Sequence, residues 1–202
     1  MKLSPEDKQQ IVTYYQQHFK RHGLHSAKSF DWGSNETQLM RFAILAEIGN
    51  LQGSSILDVG CGLGDFYNFL TNTTPDIEYV GIDIVPDFHE GAQKKHPEVR
   101  FILGDFLDHT FERSFDYAFA SGTFSLGFEV TRETYYEMIG KMFLLSTRGV
   151  GFNMLHYKFH TNDAPYLTYD PKEVKAFCST LTKNIEIVTG YLEHDFTVYL
   201  RK

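Results

Sequence analysis

Residues 54–66 read SSILDVGCGLGDF, an apolar run that breaks into glycines at positions 60, 62 and 64. Glycine is the residue that takes a positive φ, or lets backbone lie against a ligand, without steric cost. An apolar strand ending in such a turn belongs to a strand–turn–helix unit of an α/β sheet. In open sheets of that kind, ligands sit beyond the carboxyl ends of the strands, where the strand order reverses. The dinucleotide fingerprint G-x-G-x-x-G sets a pyrophosphate on the following helix N-terminus. Here the spacing is G-x-G-x-G, and the next residue is Asp65, whose charge opposes a pyrophosphate. A ligand with an amino-acid ammonium and no phosphate tolerates it.

The flanking sequence extends the α/β pattern in both directions. Ser4-Pro5-Glu6-Asp7 offers a hydroxyl N-cap, proline at the first helical position and acids in the first turn. Ile11, Tyr14, Tyr15, His18 and Phe19 follow at helical spacing until Gly23. Residues 24–34 read as a loop, and 35–48 as a second helix with Leu39, Phe42, Ala43 and Ala46 inward. Beyond Gly49, strands are expected at 56–59, 78–84, 99–103, 115–120 and 149–155. Helices are expected at 66–70, 86–95, 132–146 and 170–181, and two alternating runs at 185–189 and 196–200 close the chain as an antiparallel pair. The expectation is one domain over 1–202: an α/β, doubly wound, Rossmann-like seven-stranded sheet over 50–202 with a C-terminal antiparallel strand. Residues 1–49 form its N-terminal helical cap or lid.

Composition narrows the function. The chain has 202 residues, 19 basic against 26 acidic groups and a formal charge of −7, with no basic run, so a nucleic-acid partner is disfavoured. Two cysteines, Cys61 and Cys178, make neither a CxxC pair nor a disulfide framework, and no metal site is expected. No leader-like h-region or 18-residue apolar stretch occurs, so a cytoplasmic protein without membrane contact is expected.

ILDVGCGLGDF resembles motif I of the class I S-adenosylmethionine (SAM)-dependent methyltransferases, and three later segments match in order. The resemblance covers roughly residues 35–202. It implies SAM as cofactor, S-adenosylhomocysteine (SAH) as product, and a small-molecule acceptor methylated at O or N by in-line displacement. Asp58, Gly60, Cys61, Gly62 and Gly64 then form the cofactor turn, Asp58 also fastening it through backbone N–H groups. Asp83, about 20 residues past the glycines, takes the ribose hydroxyls beside Ile84. Asp105, with apolar Phe106 beside it, takes the adenine amino group, and Ser121 stands where the fourth strand approaches the methionine part. Asp116 reads as structural, and Cys61 as a small residue packed beside the turn. The segment Ser121-Gly-Thr-Phe124 lacks the D/N-P-P-Y/F pattern of enzymes that methylate nucleic-acid bases.

The loop FDWGS at 30–34 holds the single tryptophan and is similar to a D-W-G-S element of a bacterial group of small SAM methyltransferases with mostly unassigned substrates. Two readings stand for it. Trp32 covers the cofactor and Arg41 pairs with its carboxylate, or Trp32 packs the cap and Arg41 is solvated. Methyl transfer draws much of its rate from alignment, so a base is optional. Candidates for one are His156, Tyr157, His160 and Glu129. Two readings stand for Tyr14, Tyr15, Phe124, Phe128, Tyr157 and Tyr169, walls of an aromatic pocket or ordinary core, with core favoured for most. Two other functions remain open: a SAM-binding interaction or regulatory module without catalysis, and an NAD(P)-dependent oxidoreductase. The oligomeric state is not legible.

Overall fold

The computed structural model describes residues 3–22, 34–127, 130–158 and 166–202. Seven strands run β1 (Ser55–Val59), β2 (Glu78–Asp83), β3 (Arg100–Leu103), β4 (Phe115–Ala120), β5 (Ser146–Leu155), β6 (Ile185–Thr189) and β7 (Asp195–Arg201). Six helices run α1 (Pro5–His22), α2 (Asn35–Ala46), α3 (Asp65–Thr73), α4 (Pro86–Lys95), α5 (Arg132–Leu145) and α6 (Pro171–Cys178). The strand order is β3-β2-β1-β4-β5-β7-β6, with β7 antiparallel to both neighbours. The order reverses between β1 and β4, so the expected seven-stranded, doubly wound sheet with its antiparallel closure is present.

The central strands are apolar runs because both of their faces are covered. On one face α2, α3 and α4 pack against the sheet through Phe42, Leu45, Phe66, Leu70 and Ala92. On the other, α5 and α6 bury Ile139, Met142, Val174 and Cys178. Within the segment read as a cap, the described residues form α1 and α2. α2 joins the sheet face, while α1 crosses the carboxyl ends of β2 and β3. Its Gln16 donates to Asp87 at 2.5 Å, its Lys8 pairs with Asp105 and Asp108, and Tyr15 and Phe19 meet the Phe88 ring.

β5 begins at Ser146, three residues before the expected start at Gly149. Ser-Thr-Arg carries no apolar alternation, but polar side chains hold it in the sheet. Thr147 Oγ1 donates to Asp116 at 3.2 Å, and Arg148 donates to Ser54 Oγ at 3.1 Å.

Candidate functional site

The turn after β1 lies at the reversal point. Gly60, Gly62 and Gly64 have φ of 73°, 54° and 74°, the left-handed region where a side chain is strained. A Cβ on Gly60 would stand 2.4 Å from Thr123 Oγ1, so the loop after β4 closes against the turn. The N–H groups of Gly60 and Cys61 both donate to Ile82 O, at 2.8 and 3.2 Å, which binds the turn to β2. Cys61 is buried, with its sulfur where a Cβ on Gly81 would go, so it packs as a small residue.

A cleft with about 1080 Å³ of empty space, part of it open to solvent, lies over this turn. Three neighbouring strands each deliver a carboxylate to its wall: Asp58 from β1, Asp83 from β2 and Asp105 just after β3; Asp65 adds a fourth at the start of α3. Among the described residues, no lysine, arginine or histidine lines it.

Each carboxylate has its own partners. Asp58 is buried, accepts the Tyr79 hydroxyl at Oδ2, and leaves Oδ1 buried without a hydrogen-bond partner among the described residues. Burial pushes its carboxyl up to about 7, further raised by Asp83 and opposed by the Tyr79 bond. The fastening of the turn expected of Asp58 is carried instead by Asp83. Its Oδ2 accepts the Gly62 N–H at 2.8 Å and its Oδ1 the Val85 N–H at 2.9 Å. Burial still raises Asp83 above its ordinary range, against these amides. Asp105 accepts the Leu107 N–H at 2.8 Å and pairs with Lys8 at 2.9 Å. Asp65 pairs with Lys95 at 2.5 Å.

Ile84, Phe106 and Ser121 also line the cleft, as do Tyr15, Gln38, Tyr135 and Met138, which no motif marked. Tyr135 donates its hydroxyl to Leu126 O at 2.6 Å, fixing α5 to the loop after β4. The signal for Tyr15 and Tyr135 was only helical periodicity, which reads the same for core. Phe124 and Tyr169 are core, the Tyr169 hydroxyl donating to Phe124 O at 2.8 Å. Asp116 is structural: it accepts the Ser55 N–H and hydroxyl at 2.8 and 2.9 Å, and these bonds hold its carboxyl below the usual range.

Other expected site residues are not brought here. Arg41 pairs side-on with Asp195, at 3.1 Å from Nε and 2.6 Å from the terminal nitrogen, and does not line the cleft. Its guanidinium is neither solvated nor turned to a ligand's carboxylate, because α2 packs it against the start of β7. His156 and Tyr157 follow β5 and do not line the cleft either. His156 Nδ1 accepts the Lys158 N–H at 3.2 Å, and burial lowers its ring below the ordinary value, while Tyr157 is 49% exposed. Trp32, Glu129, His160 and Phe128 lie outside the described residues.

Comparison with known proteins agrees with this geometry. Residues 56–143 match a family model described as a methyltransferase domain. The chain is 28% identical over 155 residues to malonyl-[acyl-carrier protein] O-methyltransferase of Acetivibrio thermocellus, covering 72% of this chain and 53% of that protein. The chain thus spans about half the length of that relative. It is 28% identical over 158 residues to a Mycobacterium tuberculosis protein described as a methyltransferase, covering 73% of this chain and 93% of that protein. Its fold matches the crystal structure of magnesium protoporphyrin IX methyltransferase from Synechocystis with bound SAH at a TM-score of 0.73. Identity there is 14%, over 97% of this chain and 100% of the other.

Proposed function

We propose that this chain, a class I SAM-dependent methyltransferase by its domain match and its fold, transfers the methyl group of SAM to a small-molecule acceptor at O or N. One observation carries the reading: three adjacent strand ends supply carboxylates to a cleft lined by no cationic side chain among the described residues. Such carboxylates accept from an ammonium, ribose hydroxyls and an adenine amino group, and offer no donor to a pyrophosphate.

The residues fit SAM in three ways. Among the described residues the buried Asp58 Oδ1 has no donor, and an ammonium supplies one. The glycines give the turn its left-handed backbone, at φ of 54–74°, on the cleft wall. Asp83 and Asp105, from the ends of the paired strands β2 and β3, line the same cleft, with Ile84 and Phe106 as apolar neighbours. Bound SAM supplies a methyl on a sulfonium; its carbon–sulfur bond breaks with the electron pair going to sulfur as the acceptor's lone pair bonds the carbon. The chain's part is to hold donor and acceptor in line and exclude water, which accounts for much of such a rate. No base is assigned, since His156 and Tyr157 do not line the cleft.

Incubation with SAM labelled at its methyl group, together with a panel of phenols, amines and carboxylic acids, tests the activity. Labelled product appearing in step with SAH is expected for at least one class. Saturable SAM binding without SAH release across the panel would instead support a non-catalytic binding module.

A further inference from the structure

Asn153 lies in β5, 1% exposed, and no sequence motif marks it. Its amide bridges two consecutive residues of the loop after β4. The Gly122 N–H donates to Asn153 Oδ1 at 2.8 Å, and Asn153 Nδ2 donates to Ser121 Oγ at 3.3 Å. A backbone N–H only donates, so the Gly122 contact decides which side-chain atom is oxygen, and the NH2 must face Ser121. Ser121 Oγ therefore accepts a hydrogen bond from the Asn153 NH2 and keeps its own O–H for a different acceptor.

Among the described residues, no acceptor takes that proton, and Ser121 stands on the cleft wall. Two other hydroxyls on the wall are committed. Thr123 donates to Val59 O at 2.8 Å and Tyr135 to Leu126 O at 2.6 Å. A cofactor carrying an amino-acid carboxylate needs donors in a cleft whose charged side chains are all aspartates, and Arg41 is held by Asp195. Ser121 is a polar side chain on that wall suited to give one, beside Tyr15 and Gln38.

We propose that Asn153 is a positioning residue that fixes the polarity of Ser121, so that the Ser121 hydroxyl donates to the amino-acid carboxylate of the cofactor. This rests on the SAM reading above and adds the residue that orients one of its contacts. The arrangement is directional. An aspartate at 153 has the same shape but only accepts, so it would draw the Ser121 proton away from the cleft.

The test is calorimetric titration with two probes, SAH and methylthioadenosine, which keeps the nucleoside and thioether but lacks the amino-acid part. Ser121→Ala and Asn153→Asp should each weaken SAH by roughly tenfold or more, the loss typical of a hydrogen bond to a charged group. Methylthioadenosine should bind both variants as it binds the unmodified protein. In the Ser121→Ala background, adding Asn153→Asp should change SAH binding little, because no hydroxyl remains to reorient. Unchanged SAH affinity in Ser121→Ala overturns the proposal, as does equal weakening of both probes. So does a full Asn153→Asp effect without Ser121, which reports only the added charge. If Asn153→Asp does not fold, unchanged SAH affinity in Ser121→Ala still overturns the proposal. Failure of the unmodified protein to bind SAH would remove the cofactor reading itself, a different outcome from these.

Discussion

Gly60 holds a φ of 73° beside a Thr123 side chain that leaves no room for a Cβ. Alanine there must either strain the backbone or push Thr123 off the Val59 carbonyl. Gly60→Ala is expected to cost roughly 2–3 kcal/mol and to weaken SAH binding. Urea unfolding and an SAH titration check it, and a variant with native stability and affinity would show that the turn tolerates a side chain. Asp58 makes a second prediction. Its folded value of about 7 lies above the unfolded one, so the folded state binds the extra proton between about pH 4 and 7. That contribution is full below pH 4 and falls away as pH rises through 7. Asn at 58 removes it, so Asp58→Asn should gain stability relative to the unmodified protein as pH rises across the window. The relative gain is at most roughly 4 kcal/mol at 1.4 kcal/mol per pKa unit. Parallel stability–pH curves for the two proteins would contradict it. The glycines and the acids were legible as residues, since glycine spacing and chemical type are local. Their division of labour was not, because the Tyr79 hydroxyl and the Gly62 amide that separate Asp58 from Asp83 are each 21 positions away.

At the scale of elements, the clearest signals were those that the chain states locally. Pro86 opens α4, an apolar run marks β4 and alternation marks β6, so their bounds were read directly. The start of β5 was missed because polar contacts to β4 and to Ser54, rather than apolar alternation, hold Ser146–Arg148 in the sheet. The docking of α1 and α2 was equally hidden. Periodicity tells which face of a helix is apolar and not what that face meets. Arg41 shows the consequence: it joins α2 to β7 across 154 positions, with side chains only 11% and 5% exposed on the two partners. Removing one member of a buried pair strands the other charge, at a cost of about 3–5 kcal/mol. Arg41→Met should therefore destabilise the protein by about that much, and Arg41→Met with Asp195→Leu should recover part of the loss. If instead the single variant unfolds like the unmodified protein in urea, α2 does not depend on this pair.

For the molecule as a whole, alternation of strands and helices implied the doubly wound sheet, and the sheet order sets where its ligand must lie. What no segment states is convergence. Asp58, Asp65, Asp83 and Asp105 come to one cleft because β1, β2 and β3 are parallel neighbours, and α1 then crosses their ends with Lys8 reaching an acid 100 positions away. That shared acidic wall is the reason to read SAM rather than a dinucleotide. Calorimetric titration of the unmodified protein with SAH, and separately with NAD, tests this most directly. The account predicts saturable one-to-one binding of SAH and no heat from NAD. Saturable NAD binding, with none detected for SAH at millimolar concentration, would contradict it.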